Sequence, residues 1–339
     1  MTRRKKVTTF CPFLLHWQDS TNTKDVITYS FKMISAFGST NIGGASNKEN
    51  QDTYFVKDHV FGVLDGHGHG GHHAAITACT VFSEACMDAS FPKIFAEAEE
   101  ALTLIGLRTG PTGGGTTASV LYIDPIEGFC QVGHVGDSEV RYFDEDEGAG
   151  VSLTTDHSAC SLEEFKRISA LPGRNVTFEF AARPPHRWGR PVFVKEGDDW
   201  VMDPTGGGYY CTVRGDWASY VMCPYDTERL AITRALGDFN LKPHGISAEP
   251  SVTTVPAPAV GVTRAIVLAS DGLWDAMKYE EVRAIVRQPE LLGNAEAATK
   301  ALMEAALAAS ARLFGSSADN VTAVVVYMTA PPQEDNDCK

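Results

Sequence analysis

Short runs of β-branched, aromatic and other apolar residues set the strongest limit on the fold of this chain. They are FGVLD (61–65), TTASVLYI (116–123), FCQVGHVG (129–136), VRYF (140–143), AIVLASD (265–271) and VTAVVVYM (321–328). Each run has the length and the residue types that are typical of a strand. The runs come in groups rather than in strict alternation with helices, which favours an α+β fold with largely antiparallel sheets.

Longer segments between these groups predict helices. HHAAITACTVFSEACMDAS (72–90) stops before Pro92, and PKIFAEAEEALTLIGL (92–107) begins with that proline in its first turn. Residues 295–314 place one apolar stripe along a helix, formed by Leu302, Met303, Ala306, Leu307, Leu313 and Phe314, with the small Ser310 among them. We expect Asn294 to cap this helix and Gly315 to end it.

The chain of 339 residues is long enough to bury a substantial core. We expect a tail over residues 1–25, one domain over 26–330 and a second tail over 331–339. The stretch 157–229 differs from its surroundings, because ARPPHRWGRP (182–191) and PTGGGYY (204–210) are rich in proline, glycine and aromatic residues. We interpret it as an excursion from the core fold.

Charge and cysteine content narrow the class of protein. A formal net charge of -14 argues against binding to nucleic acid, which needs clustered positive charge. The eight cysteines include no C-x-x-C pair, which suits reduced thiols in the cytoplasm or nucleus. No apolar run approaches the ~18–20 residues that cross a bilayer, so we expect no membrane association. Nothing in the sequence requires a partner chain, and we expect a monomer.

Two aspartates follow apolar runs and precede glycines, Asp65 in VLDG and Asp271 in LASDG. Asp-Gly commonly marks a turn, but strands that end side by side can bring their terminal carboxylates to one point. Asp319, before the last run, and Asp52, before TYFV, are further candidates. Clustered carboxylates repel strongly, and a divalent cation removes that repulsion. All-oxygen ligation selects Mg²⁺, Mn²⁺ or Ca²⁺ rather than zinc or copper.

The residues after Asp65 offer further candidates. Gly66 has no side chain, so its carbonyl can approach a metal closely. His67 stands where a proton donor beside a metal-bound substrate would be useful. With His69, His72 and His73 it also suggests a zinc site, but no cysteine lies among them and H-E-x-x-H is absent. Surface loop histidines are the simpler interpretation.

The same glycines fit a second pattern. Gly66, Gly68 and Gly71 match the dinucleotide-binding fingerprint G-x-G-x-x-G. However, the Asp65 carboxylate would face the phosphates. The acidic residue expected about 20 positions further on is offered only by Glu84, in the middle of a helical pattern. A nucleotide-binding oxidoreductase is therefore the weakest of the functions considered.

A series of motifs, taken in order, resembles the metal-dependent serine/threonine phosphatases of type 2C. The motifs are KENQD (48–52), VLDGHGHGGHHAA (63–75), GTTASVLYI (115–123), HVGDSEVRYF (134–143), LTTDHSA (153–159), LAITRALGD (230–238), AEPSVTT (248–254), ASDGLWD (269–275) and SADNVTAVVV (317–326). The resemblance implies a sandwich of two antiparallel β-sheets flanked by helices (α-β-β-α). It also implies hydrolysis of phosphoserine and phosphothreonine on proteins by a metal-activated bridging water.

Carried over motif by motif, the resemblance implies two divalent cations, Mn²⁺ or Mg²⁺. Asp65 would bridge them, and the Gly66 carbonyl would bind one. Asp271 and Asp319 would bind the other, while Asp52 would hold a metal-bound water.

The family pattern also implies roles around these ions. Asp137, in GDSE, matches the position of a third, weaker metal. His67 would act as general acid and protonate the departing serine or threonine oxygen. Asp238, in LAITRALGD, has the character of a structural residue rather than a ligand.

The sequence departs from the family pattern at three places. Asn47 stands where an arginine usually grips the substrate phosphate, and Lys48 beside it would offer only a point charge. Glu139 replaces the arginine of GDSR, which we interpret as a solvated structural change. The 157–229 segment is longer than usual, and HRWGR (186–190) or its neighbours in this flap-like insertion would shape substrate choice. The missing arginine leaves an alternative open, a catalytically weak phosphatase-like protein that binds metal and a partner.

Overall fold

The computed structural model describes residues 33–44, 49–85, 90–109, 114–126, 128–145, 148–173, 176–182, 189–222 and 229–330. Its helices are α1 (Gly71–Glu84), α2 (Phe91–Thr109), α3 (Leu162–Ser169), α4 (Asp271–Trp274), α5 (Tyr279–Val286) and α6 (Ala295–Phe314). Its strands are β1 (Met33–Asn41), β2 (Asp52–Lys57), β3 (Val60–Gly68), β4 (Gly114–Thr116), β5 (Ala118–Ile123), β6 (Cys130–Val135), β7 (Glu139–Phe143), β8 (Val151–Ser152), β9 (Thr177–Phe180), β10 (Phe193–Glu196), β11 (Asp199–Met202), β12 (Ser219–Met222), β13 (Arg229–Leu230), β14 (Leu236–Gly237), β15 (Ser251–Val255), β16 (Thr263–Ala269) and β17 (Val321–Thr329).

Two large sheets form the centre of the molecule. One has the strand order β1-β17-β16-β7-β8, and the other has the order β14-β4-β3-β5-β6-β15 with β2 paired to β3. Neighbouring strands in both sheets run antiparallel. This arrangement confirms the predicted α+β fold with antiparallel sheets.

The side chains of β17 show how the two-residue period of a strand builds three layers. Val324 and Val326 pack between the sheets, together with Phe61 from β3. Val325 points to the opposite face, where it meets Leu302 of α6. On the far side of the second sheet, α1 and α2 pack over a separate core. The order of layers is helix, sheet, sheet, helix, as the resemblance implied.

Helix α6 matches its predicted bounds. The Asn294 side chain accepts a hydrogen bond of 3.1 Å from the Ala297 amide, and Gly315 stands at the C-terminal end. Leu302, Met303 and Ala306 are buried as expected. Leu313 is 44% exposed, so its assignment to the buried stripe was wrong; the buried face is continued by Ser310.

Helix α1 is shorter than the pattern predicted. It ends at Glu84 rather than at residue 90, and residues 86–89 of the expected helix lie outside the described part of the chain. Among the described residues, no helix combines the length and the apolar character needed to cross a membrane.

The 157–229 segment carries small sheets of its own. Strands β9, β12 and β13 form one, and β10 and β11 form a hairpin. Ile168, Phe178 and Phe193 contribute to a separate hydrophobic cluster beneath them. The division into tails, domain and insertion remains a prediction, and the predicted tails over 1–25 and 331–339 lie outside the described residues.

Candidate functional site

Strand register brings the candidate aspartates to one end of the sandwich. Asp52 stands directly opposite Asp65 across β2 and β3. Asp271 follows the end of β16 and Asp319 precedes the start of β17. These strands are antiparallel neighbours, so both residues lie at the same edge. Asp137 joins them just before β7, the other neighbour of β16.

A cavity of about 270 Å³ lies where these strand ends meet. The sequence-predicted residues that line it are Asp65, Gly66, His67, Asp137, Asp271 and Asp319. Asp52 is buried behind them. The fold therefore unites residues that are spread over more than 250 positions of the chain.

The electrostatic potential at Asp65 is strongly negative. Burial raises the pKa of the Asp65 carboxyl well above its ordinary value. Neighbouring carboxylates raise this pKa further, in the order Asp52, Asp271, Asp319 and Asp137. Such a position favours a bound cation, or protons when no cation is present.

Asp52 has one satisfied and one unsatisfied oxygen. Its Oδ2 atom accepts a hydrogen bond of 2.7 Å from Ser270 Oγ. Its Oδ1 atom is buried and receives no hydrogen bond from the described residues. Burial raises the pKa of Asp52 to about 6, against the effect of the Ser270 hydrogen bond. A buried oxygen without a donor suits a bound water or cation.

Gly66 occupies a position that excludes a side chain. A Cβ atom built there would lie 2.3 Å from the Gly71 carbonyl oxygen and 2.7 Å from the Gln51 carbonyl oxygen. The Gly66 amide donates a hydrogen bond of 3.1 Å to the same Gln51 oxygen. The turn between β3 and α1 is therefore closely packed around this residue, as expected of a backbone cradle.

The donor set fits a hard divalent cation, because it consists of carboxylate and carbonyl oxygens. Within the described residues, no group of three or more His, Cys, Asp or Glu side chains is arranged to hold a metal ion as it stands. The aspartates share a cavity and an electrostatic field without converging on a single point. Mutual repulsion between uncompensated carboxylates opposes such convergence.

His67 lies beside the aspartates and is fixed by Asp238. The Nε2 atom of His67 is 2.7 Å from Asp238 Oδ2. The His67 side chain is 25% exposed, whereas that of Asp238 is 6% exposed. Asp238 had been interpreted as structural, and its contact shows what it supports: it orients the imidazole at the edge of the cavity.

The alternatives raised by the glycines and histidines gain no support from this geometry. The His72 and His73 rings lie 3.7 Å apart, and His72 Nδ1 is 2.9 Å from a Glu49 carboxylate oxygen. No zinc-type cluster occurs in the described ranges. Glu84 lies at the end of α1 rather than at the end of a strand, so a ribose-binding carboxylate is not in place.

The interpretation of Glu139 as solvated was wrong, because this residue is buried. Its Oε1 atom accepts hydrogen bonds from Arg141 Nε at 2.8 Å and from Ser152 Oγ at 2.9 Å. The Arg141 guanidinium also lies 3.6 Å from the centre of the Tyr279 ring. A glutamate and an arginine two positions apart on β7 share one face and form a buried pair, which supports the structural interpretation.

Two acidic residues near the site were not singled out from the sequence. Asp275 follows helix α4, and burial raises its pKa well above the ordinary value, with further contributions from Asp271 and Asp137. The sequence could have indicated Asp275, because it lies four residues after Asp271 and one helical turn places both side chains on the same face of a helix. Asp156 lies in LTTDHSA and is exposed, but desolvation by the groups around it and the nearby Glu139 raise its pKa to about 7.

Some of the expected features lie outside the described residues. Asn47 and Lys48 fall in the gap 45–48, and most of HRWGR falls in the gap 183–188. The last residue of that motif, Arg190, is half exposed and lies 3.7 Å from Asp203. The role of Lys48 therefore stays a prediction.

Comparison with known proteins identifies the family. The sequence model of the family "Protein phosphatase 2C" matches residues 39–180 and 196–312. The chain belongs to this family, as the motifs had suggested. The stretch between the two matched parts, 181–195, lies inside the insertion.

Named relatives agree with this assignment. The chain is 28% identical over 219 residues to "Probable protein phosphatase 2C 44" of Oryza sativa subsp. japonica, covering 65% of this chain and 50% of the relative. It is 27% identical over 274 residues to "Probable protein phosphatase 2C 11" of Arabidopsis thaliana, covering 78% and 57%. The chain thus spans about half the length of these curated relatives.

Solved structures share the fold. Serine-threonine phosphatase 2C from Toxoplasma gondii superimposes with a TM-score of 0.59 at 21% identity, over 89% of this chain and 97% of that one. The catalytic domain of the phosphatase PstP, in complex with two manganese ions, gives a TM-score of 0.54 at 17% identity, over 87% and 98%. Both likenesses support the layered sandwich.

Proposed function

We propose that this chain hydrolyses phosphoserine and phosphothreonine on proteins with the aid of two divalent cations, Mn²⁺ or Mg²⁺. The observation that carries the proposal is the cluster of Asp65, Asp271 and Asp319 around one cavity, with His67 on its wall. Membership of the protein phosphatase 2C family supports the reaction class. The two manganese ions bound by PstP support the choice of cofactor.

Each ligand has a proposed place. Asp65, central to the cluster, would contact both ions. The Gly66 carbonyl would bind one ion, and Asp271 and Asp319 would bind the other. Asp137, with its strongly raised pKa beside Asp271, would take part in a third, weaker site.

The bound cations would supply a hydroxide near neutral pH and neutralise the phosphate oxygens during in-line attack. Asp52 orients the attacking water through its buried Oδ1 atom, which has no other hydrogen bond among the described residues. His67 protonates the departing serine or threonine oxygen, a general-acid role typically worth about 10²–10⁴-fold. Asp238 holds the imidazole in place for that transfer.

The substrate is a phosphoprotein, and Lys48 is the proposed replacement for the phosphate-gripping arginine. A lysine provides charge without the bidentate fork of a guanidinium, so its phosphate contact is weaker and less directional. The expected location in the cytoplasm or nucleus and the expected monomeric state remain predictions.

The test is hydrolysis of p-nitrophenyl phosphate and of a phosphothreonine peptide by EDTA-stripped protein, before and after Mn²⁺ or Mg²⁺ is restored. We expect activity only with metal, and its loss in Asp271→Asn. Asp198→Asn, an exposed residue of the β10–β11 turn, is the matched control and should retain full activity. A wild-type protein that binds Mn²⁺ but hydrolyses neither substrate would overturn the proposal in favour of a phosphatase-like binding protein.

A further inference from the structure

Three cavities lie in a row from the proposed metal centre across the insertion. The first, of about 270 Å³, is the candidate site itself. A second, of about 440 Å³, shares Asp137, Asp271 and Ala231 with it. A third, of about 340 Å³, shares Glu139 and Asp156 with the second. Together they form one groove that leads away from the reacting centre.

The second cavity has an apolar wall that the insertion supplies. Trp217 and Met202 line it, and Met202 is 39% exposed despite its apolar side chain. The Trp217 ring stacks on Tyr210 with centroids 4.0 Å apart, which holds the indole in position. Such a wall suits the aliphatic stem of a long side chain.

The opposite wall is acidic. Asp137 and Asp271 belong to the proposed metal centre, and Asp275 lies beside them, where burial and both carboxylates raise its pKa. Glu139 pairs with Arg141, as described above. Asp216 accepts a hydrogen bond of 2.7 Å from Thr212 Oγ1.

Arg214 is the one cation among the described residues that line this cavity. Its guanidinium donates to the carbonyl oxygens of Trp274 and Met277. It also lies 3.5 Å from Asp216 and 4.8 Å from the centre of the Tyr279 ring. These contacts fix the guanidinium against α4 and α5, so it is not free to reach into the groove.

Asp156 is left without a partner. Its carboxylate lines both the second and the third cavity and makes no hydrogen bond or ion pair with the described residues. Desolvation and the neighbouring Glu139 together raise the pKa of Asp156 to about 7, against the opposing effect of Arg214. Asp156 is exposed to solvent at the groove, so its carboxylate is accessible to an incoming cation and attracts it.

We propose that the second cavity is a specificity subsite for a lysine or arginine that flanks the phosphorylated residue of the substrate. The charged end contacts Asp156, and the aliphatic stem packs on Trp217 and Met202. This inference rests on the proposed phosphatase function and names its substrate class. The acidic chain, with a net charge of -14, also attracts basic peptides over longer distances.

The test compares phosphothreonine peptides that are neutral except for a single lysine, placed in turn at each flanking position. For wild-type protein with Mn²⁺, we expect kcat/KM at one or more positions to exceed that of the neutral peptide by about tenfold, on the order of one charge-assisted contact. Asp156→Asn should abolish this ratio mainly through KM. Asp156→Lys should invert it in favour of a glutamate at the same position, and Asp198→Asn should preserve it.

Three outcomes would overturn the inference: no preference in wild type, an unchanged ratio in Asp156→Asn, or an equal loss for both peptides. Hydrolysis of p-nitrophenyl phosphate by wild-type protein separates these results from failure of the proposed function. If that hydrolysis is absent, fluorescence anisotropy of a labelled lysine-containing peptide still tests the subsite. Equal binding to wild type and Asp156→Asn would then reject it.

Discussion

The imidazole of His67 and the carboxylate of Asp238 are in hydrogen-bond contact, 2.7 Å apart, although 171 positions separate them in the sequence. Asp238 adopts a left-handed backbone conformation with φ of 47° directly after β14. Gly115 leaves room for its carboxylate, since a Cβ there would lie 2.4 Å from Asp238 Oδ2. The left-handed backbone of Asp238 and the space left by Gly115 thus place the buried Asp238 carboxylate where it orients the His67 imidazole.

If His67 is the general acid, the loss of activity in its variants should depend on the leaving group of the substrate. His67→Gln should lower kcat for a phosphothreonine peptide by about 10²-fold, because an alkoxide needs a proton to depart. The loss should be much smaller for p-nitrophenyl phosphate, whose leaving group departs as a stable anion. Asp238→Asn should act in the same direction, and the double variant should be no worse than His67→Gln alone. Additive losses, or an equal loss for both substrates, would contradict the pairing. His73→Gln is the control.

Gly66→Ala should damage the site and the fold together. The new methyl group would press against the carbonyl oxygens of Gly71 and Gln51, which belong to the backbone and move only with the turn. We expect a loss of about 1–3 kcal/mol in the free energy of unfolding, measured in urea, together with weaker Mn²⁺ binding. Gly148→Ala, where a Cβ meets nothing within 4 Å, should change neither property. Unchanged Mn²⁺ affinity in Gly66→Ala would exclude the close-packed cradle.

A buried histidine pair should limit stability in acid. The His157 ring stacks on His134 at 4.5 Å, and its Nδ1 atom accepts a hydrogen bond of 3.2 Å from the Gly136 amide. The pKa of His157 is lowered from an ordinary 6.5 to about 2, mainly by burial and also by the nearby charges of His134 and Arg234.

His157 therefore takes up a proton near pH 6.5 in the unfolded chain but stays neutral at that pH in the folded chain. This contribution to stability is complete above pH 6.5 and is lost as the pH falls below it. Between about pH 7 and about pH 5, wild type should lose about 1–2 kcal/mol more than His157→Gln in urea unfolding. Parallel pH profiles for the two proteins would contradict this assignment.

Glu164 joins the insertion to the sandwich. Its carboxylate lies 2.7 Å from Arg234 and 2.7 Å from Arg167, and it accepts a hydrogen bond of 2.9 Å from Thr233 Oγ1. Burial raises the pKa of Glu164, but hydrogen bonds from the two arginines outweigh that effect and lower it to about 2. The stabilisation is present above pH 4.5, the ordinary value, and is lost as the pH falls towards 2.

We therefore expect Glu164→Gln to lower the free energy of unfolding by about 2–4 kcal/mol at neutral pH, because two partly buried guanidinium groups lose their counter-charge. Thermal or urea unfolding measures this loss. Glu163→Gln changes an exposed neighbour on the same helix and should stay within about 0.5 kcal/mol of wild type. A similar small effect at Glu164 would mean that the network does not hold the insertion in place.

The long central strands and helix α6 could be predicted because their patterns are local. Val324, Val325 and Val326 lie in a run of strand length, and Asn294 stands at the expected capping position. Short strands such as β8 and β14 contain two residues each and carry no periodic signal. Only their tertiary partners stabilise them.

The metal-ligating candidates could be predicted from the sequence where a carboxylate directly follows an apolar strand pattern, as at Asp65 and Asp271. The contact between His67 and Asp238 was not, because it depends on two distant turns that meet only in the folded chain. The pairing of Glu139 with Arg141 had a usable signal. Their spacing of two on a strand puts both side chains on one face, where opposite charges attract.

We expect the clustered aspartates to bind two divalent cations. Calorimetric titration of EDTA-stripped protein with Mn²⁺, at about pH 8 and about pH 5, tests it most directly. In the metal-free protein, the pKa of Asp52 is raised from 3.8 to about 6. Folding therefore takes up protons between these two pH values, and the free energy of unfolding falls as the pH rises through that range. Metal binding must displace these protons and should therefore weaken at the lower pH.

We expect two ions per wild-type chain at the higher pH, weaker binding at the lower pH, and loss of both ions in Asp65→Asn. Asp198→Asn should titrate like wild type. Absence of Mn²⁺ binding in wild type, or an unchanged stoichiometry in Asp65→Asn, would contradict a two-ion site at these aspartates.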